Sequence, residues 1–207
     1  MNLTERRKAA TELEIARAAA SLFAERGSGG TTVEAIADRA GLSLRTFYRY
    51  FPTKQDAVAP LLSIGAQRWL DLLAAAPRDV PAAGALESAA ARALAAPDAA
   101  TAESYGWTRG LLRAADDDPA LRAVWLRVND ESERRLARIL TDRTDGADGA
   151  DPLEAAVAAA AATAAIRIAV ETWARGDAGP TGPGSPADLA VRCMRELTAG
   201  LRASARP

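Results

Sequence analysis

Thr31-Thr32-Val33-Glu34-Ala35-Ile36-Ala37-Asp38-Arg39-Ala40-Gly41-Leu42-Ser43-Leu44-Arg45-Thr46-Phe47-Tyr48-Arg49-Tyr50-Phe51-Pro52 is the stretch that decides the fold. It reads as two short helices joined by a tight turn. Thr31 or Thr32 caps the first, and Glu34 completes a Thr-x-x-Glu capping box from Thr31. Ala35, Ile36 and Ala40 form its apolar side, and Gly41 ends it. Ser43 caps the second helix, which reaches Phe51 and stops at Pro52. Phe47 and Phe51, one turn apart, pack inward and leave Arg45, Thr46, Tyr48 and Arg49 for the outer face. Two short helices around a Gly-containing turn have helix-turn-helix proportions, and the second helix of such a pair enters the DNA major groove. From Arg39 to Lys54 the basic residues are Arg39, Arg45, Arg49 and Lys54, with no acid among the charges between Arg39 and Lys54. Charge alone leaves a solvated basic face as an equal reading.

Outward from this stretch the chain reads as helical throughout. It has 207 residues, 49% hydrophobic and 5% aromatic, with alanine supplying much of the apolar share. Alanine forms helices well and fills cores poorly, so close-packed helices are expected. A first helix covers about Glu5 to Glu25, stopped by Gly27. Thr53 caps a fourth helix running to about Ala76, and Pro60 inside it should kink it. Further helices are expected over about 82–94, 102–115, 119–142, 152–175 and 186–203, with a Gly/Asp-rich loop over 144–151. Leu189, Cys193, Met194, Leu197 and Leu201 form the stripe of the ninth. The absence of His removes the commonest general base and zinc ligand, and Cys193 is alone, so no enzyme, metal site or cofactor is expected. The N-terminus carries no apolar signal region, and Ala155 to Ala174 reads as a buried helix rather than a membrane span. A cytoplasmic location follows as an expectation.

The stretch from Ile15 to Leu61 resembles the DNA-binding domain of the tetracycline-repressor (TetR) family of regulators. The likeness is carried by Ala18-Ala19, Leu22-Phe23-Ala24-Glu25-Arg26-Gly27, Thr31-Thr32-Val33, Ile36-Ala37, Ala40-Gly41-Leu42-Ser43, Thr46-Phe47-Tyr48-Arg49-Tyr50-Phe51 and Lys54. Phe47 and Leu42 stand where other members often carry Leu and Val. The resemblance implies an all-α, nine-helix architecture: a helix-turn-helix domain over residues 1–55 and a ligand-binding and dimerisation domain over 56–207. It implies that Leu44, Arg45, Thr46 and Arg49 read bases, and that Thr32, Ser43, Tyr48, Tyr50 and Lys54 hold phosphates. For Tyr50, packing against the first helix stands as the alternative.

It further implies a homodimer through the eighth and ninth helices, a double-stranded operator, and release by a small-molecule effector, apolar or amphiphilic. The last two helices are similar to those of regulators with an acyl-CoA-like ligand-binding domain. Effector-pocket candidates are Tyr105, Trp107, Arg109, Trp125, Arg167 and Trp173. For each Trp taken singly the favoured alternative is core filling, and for Arg167 it is a pair with Glu171 one turn on. A helical adaptor that binds protein and no DNA is the competing class.

Overall fold

The computed structural model describes residues 2–143 and 151–197. Among them lie nine α-helices, a single 3₁₀ turn and no strand. The Gly/Asp-rich loop apart from Asp151, and the stretch beyond Leu197 with Leu201, lie outside the described residues.

Helix α1 spans Leu3–Gly30. It starts two residues earlier than the pattern predicts because Asn2 and Glu5 bond reciprocally: Glu5 N–H donates to Asn2 Oδ1 at 2.9 Å and Asn2 N–H to Glu5 Oε2 at 2.8 Å. Regular dihedrals break at Gly27, at φ 67° and ψ 177°, which is where the sequence places the stop. Thr31 then closes this end, its hydroxyl donating to the Gly27 carbonyl at 2.8 Å. The Thr31–Glu34 capping box is therefore not formed. Thr32 caps α2 (Val33–Arg39) instead, accepting from Ala35 N–H at 3.2 Å.

Helix α3 covers Leu44–Tyr50. The fourth helix is not one continuous element from Thr53. A 3₁₀ turn, Asp56–Val58, comes first, and α4 begins at Ala59 and runs to Ala74. Thr53 is bonded to the first residue of that turn and does not cap α4: its hydroxyl donates to Asp56 Oδ2 at 2.6 Å and accepts from Asp56 N–H at 3.0 Å. Pro60 thus lies in the first turn of α4, where its missing N–H has no intrahelical partner to lose, and not inside a helix it could kink.

Helices α5 (Ala82–Ala93), α7 (Pro119–Arg143) and α8 (Pro152–Arg175) match the predicted spans within about one residue. Helix α6 (Ala99–Asp117) starts earlier than predicted because Asp98 accepts from both N–H and hydroxyl of Thr101, at 2.8 and 2.7 Å. Helix α9 is described over Pro186–Leu197.

Packing divides the chain into two compact units. The first is Met1–Ile64 with Glu103–Val128; the second is Gly65–Ala102 with Asn129–Pro207. This division differs from the boundary at residues 55 and 56 that the resemblance implies, because 56–64 and 103–128 pack with the helix-turn-helix. In the first unit Ile15, Ala19, Leu22, Phe23, Ile36 and Phe47 are fully buried or nearly so. In the second, α8 packs on α9 and α9 on α5, with Leu86, Ala162, Ala165, Trp173 and Met194 at the centre. Alanines on the buried face of α8 permit close approach, which makes good their small volume. The Arg143 guanidinium ties the end of α7 to the carbonyls of Leu73, Ala76, Pro77 and Val80, capping the end of α4. By length and composition α8 would also cross a membrane, a test that the core helix of a soluble protein passes equally.

Candidate nucleic-acid interface

The turn between α2 and α3 is built by Gly41. With Ala40 as C-cap, Gly41 N–H donates to the Asp38 carbonyl at 3.1 Å and Leu42 N–H to the Ala37 carbonyl at 2.9 Å. This is the Schellman arrangement, and it requires the left-handed φ of +68° found at Gly41. Ser43 follows as N-cap of α3, accepting from Thr46 N–H at 3.2 Å. The Ser43 and Thr46 hydroxyls also lie 2.9 Å apart.

Phe47 is fully buried and Phe51 nearly so, which sets the roll of α3. Their rings lie 6.0 Å apart, and Phe47 meets Tyr48 edge-on at 5.6 Å. Leu44, Arg45, Tyr48 and Arg49 are exposed on the opposite side. Thr46, expected outside with them, is half-buried against Ser43. Tyr50 is also half-buried; its ring lies 6.4 Å from Phe51 and carries the Arg49 guanidinium 5.2 Å above it. The exposed face is thus two guanidinia, a phenol and one aliphatic side chain on a single short helix. That set suits phosphate oxygens, guanine edges and a thymine methyl.

The flanking basic residues divide. Arg39 turns toward α1 and grips Glu25, Nη1 to Oε1 at 2.5 Å and Nη2 to Oε2 at 2.9 Å, with a further bond to Ser21 at 2.9 Å. Hydrogen bonds from Arg39 and then Ser21 hold the Glu25 carboxyl at about 2, down from 4.5. Arg39 therefore locks α2 to α1. Lys54 is half-buried, and its ammonium donates to the Ser28 and Thr31 carbonyls at 2.7 Å each. Thr32, at the start of α2, is exposed.

A buried anchor escaped the sequence reading. Asp118 caps α7, accepting from Ala120 and Leu121 N–H at 2.9 and 3.0 Å. Its other oxygen accepts from Ser28 and from Gln55, the latter at 2.9 Å. Burial raises its pKa, but Gln55, Ser28 and the backbone N–H groups outweigh burial and bring it below the usual carboxylate value. The signal was an Asp directly before the helix-starting Pro119. Asp56 adds a second tie, pairing with Arg127 at 2.7 Å. A third lies at Gly110: a Cβ there would stand 3.3 Å from Ala24 Cβ, so α6 approaches α1 closely.

The effector candidates fall into both units. Tyr105, Trp107 and Arg109 on α6 are half-buried and Trp125 on α7 is buried, all in the first unit. Arg167 and Trp173 on α8 belong to the second. Arg167 pairs with Glu171 at 3.4 Å, the alternative that its spacing allowed. Trp173 is buried, and its indole N–H donates to the Ala178 and Gly179 carbonyls at 3.0 Å each, fastening the loop that follows α8. An open groove of about 490 Å³ in the first unit is lined by Phe51, Asp56, Pro60 and Arg127 among others, and by none of these candidates. Among the described residues no three potential metal ligands cluster.

Residues 15–59 match the family described as bacterial regulatory proteins of the tetR family. The transcriptional regulator TcmR of Streptomyces glaucescens is 29% identical over 143 residues, covering 68% of this chain and 63% of TcmR. The transcriptional repressor KstR2 of Mycobacterium tuberculosis is 42% identical over 67 residues, 32% of each protein. Both matches thus span less than two thirds of the curated relative. The fold extends further: Thermus thermophilus FadR, a TetR-family repressor solved with lauroyl-CoA, superposes with a TM-score of 0.55 at 24% identity, over 92% of this chain and 94% of FadR. Residues 15–59 thus carry the DNA-binding segment of the tetR family of bacterial regulatory proteins, and the nine-helix layout is shared with the solved TetR-family repressor.

Proposed function

We propose that this regulator is a ligand-responsive repressor that binds a palindromic operator as a homodimer and leaves it when an effector binds. The observation that carries the reading is α3 itself: Phe47 and Phe51 buried, Leu44, Arg45, Tyr48 and Arg49 exposed together. Leu44, Arg45, Thr46 and Arg49 are the base-reading set. Thr32, Ser43, Tyr48, Tyr50 and Lys54 are the phosphate set. Residues 1–55 act as the DNA-binding part and 56–207 as the ligand-binding and dimerisation part. Such an activity belongs in the cytoplasm and needs no catalysis.

The dimer surface is the outer face of α8 and α9. Leu153, Val157 and Ile168 on α8 and Leu197 on α9 are exposed, while Leu189 and Cys193 are half-buried. The face of α9 that packs inward is instead Pro186, Ala190 and Met194. An apolar strip on two adjacent helices is what a four-helix bundle with a second copy covers. Two-fold symmetry then places the two α3 helices in successive major grooves, with half-sites ~34–36 Å apart. KstR2 is a repressor and FadR was solved with an acyl-CoA, which supports repression and an amphiphilic effector here.

The test is fluorescence anisotropy on DNA from the intergenic region upstream of the gene. Arg49→Ala should weaken specific binding by ~1–3 kcal/mol and relax preference at one base position. Binding that resists high salt, or no DNA binding at all, overturns the reading in favour of a protein-binding adaptor.

A further inference from the structure

The corner between α1 and α2 is held by a side chain from far along the sequence. In the run 27–30 three of the four residues are glycine, and Ser28 carries the only side chain. Glycine restrains the backbone least, and the regular dihedrals of α1 break at Gly27. Yet Lys54 Nζ is bonded to two carbonyls of this corner, those of Ser28 and Thr31, at 2.7 Å each. Thr32, which caps α2, follows directly. The one side-chain tether that the run possesses, the Ser28 hydroxyl, donates to Asp118 Oδ2. The same oxygen accepts from Gln55, the neighbour of Lys54, at 2.9 Å. A carbonyl that holds the Lys54 ammonium and the chain beside Lys54 are thus fastened to a single atom, and all of these residues lie in the first unit.

Capping does not account for that atom. Oδ1 alone takes the Ala120 and Leu121 N–H groups at 2.9 and 3.0 Å, so Oδ2 is surplus to the start of α7. Among the described residues the four partners of this carboxylate are a hydroxyl, a carboxamide and two backbone N–H groups, all neutral. An uncompensated anion next to a corner that meets phosphates repels them. We propose that Asp118 is a positioning residue for DNA: its second oxygen fixes Ser28 and Gln55 so that Lys54 and the start of α2 meet the phosphates as one preset corner. Asp118 itself touches no DNA. The inference rests on the reading above that Lys54 and Thr32 hold phosphate. Its two effects on binding have opposite signs, since the charge opposes DNA and the positioning favours it, and this makes them separable.

Asp118→Ser separates the roles. Serine caps a helix about as well as aspartate, so the start of α7 is kept, while Oδ2 and its charge are removed. Fluorescence anisotropy on a random-sequence duplex across salt concentration gives affinity and salt slope. Asp118→Ser should bind about 3- to 10-fold more weakly at physiological salt, with the slope lowered by ~1, as in Lys54→Met. Adding Lys54→Met to Asp118→Ser should change neither value further, because both remove the same phosphate contact. Ser28→Ala and Gln55→Met each cut one tie and leave the anion in place. Each should show the same losses in smaller measure, and they carry the test if Asp118→Ser does not fold. Tighter binding by Asp118→Ser overturns the proposal, because the carboxylate then acts through its charge alone. So does a lower melting temperature with affinity and slope unchanged, since Asp118 then serves only the fold. Additive losses in the double variant overturn it as well. If Lys54→Met leaves the wild-type slope unchanged, the phosphate reading falls and the proposal with it. A lowered slope in Lys54→Met beside an unchanged one in Asp118→Ser removes the proposal alone.

Discussion

Gly41→Ala and Gly106→Ala add the same methyl group, and the structure gives them opposite signs. At Gly41 the added Cβ meets nothing within 4 Å, so no clash contributes. The cost is conformational: φ is +68°, where an L side chain crowds the following carbonyl, at about 1–2 kcal/mol. Gly106 lies inside α6 and is also free of neighbours within 4 Å, but no left-handed φ is needed there. Alanine at that position should stabilise by about 0.5–1 kcal/mol, because glycine loses more backbone entropy in a helix. For a chain of this size those values correspond to a melting temperature lowered by about 2–8 °C at Gly41 and raised by about 1–4 °C at Gly106. Circular dichroism melts of the two variants beside wild type measure the difference. Gly41→Ala should also weaken operator binding, since the Schellman turn aims α3, while Gly106→Ala should leave it unchanged. Shifts of the same sign in both proteins would refute the argument that backbone conformation at the turn, and not added volume, sets the cost.

Lys54→Met should weaken binding to all DNA sequences alike and lower the salt slope by ~1, as read from anisotropy titrations across salt concentration; altered base preference with intact non-specific affinity contradicts its assignment. The Glu25 carboxyl is held at about 2 by Arg39 and Ser21, against 4.5 ordinarily, so the unfolded chain binds that proton more tightly than the folded one. The stability that this pair adds is complete above about pH 4.5 and is lost as pH falls through about 2; chemical denaturation of Glu25→Gln should therefore show a flatter acid limb, and an unchanged limb counts against the pair. Ile168→Asp and Val157→Asp, on the exposed strip of α8, should shift the dimer to monomer in analytical ultracentrifugation while the helix content stays; a wild-type monomer at micromolar concentration removes the dimer proposal. Ala165→Glu is no substitute, because Ala165 is fully buried within one protomer and a charge there would disrupt the core.

What could be read from the sequence was what local chemistry fixes. The spacing of Phe47 and Phe51, the Gly41 stop and the Ser43 cap place α2 and α3 without reference to anything distant, and all three hold in the structure. The ends of elements were less legible where two caps competed. Thr31 and Thr32 are adjacent hydroxyls of equal capping power, and only the closure of α1 onto Thr31 leaves α2 to Thr32. Pro60 is the same case: its meaning depends on where the helix begins, and the 3₁₀ turn at Asp56–Val58 moves that start past the reach of Thr53. The partners of Asp118, Arg127 and Arg143 lie 63 or more residues away from them in the chain, apart from the bonds with which Asp118 caps its own helix. No periodicity carries such pairings, because they are set by tertiary approach.

Lys54 shows why a charge counted in sequence is not yet a contact. An ammonium has three donors, and two of them are spent on Ser28 and Thr31. Those carbonyls belong to the corner where α1 ends and where the chain turns into the Thr32 cap. Ser28 also donates to Asp118, which caps α7 and accepts from Gln55, the residue after Lys54. The segment that would meet DNA phosphates is therefore fastened to the same few atoms that fasten α7. One donor of Lys54 is left over for a phosphate, so holding the corner and neutralising the backbone are compatible roles. Asp118 has no such freedom: both oxygens are engaged, and its loss would release the α7 cap, the Gln55 tie and the Ser28 tie together. Asp118 thus joins the start of α7 to the α1–α2 corner through three ties made by a single carboxylate.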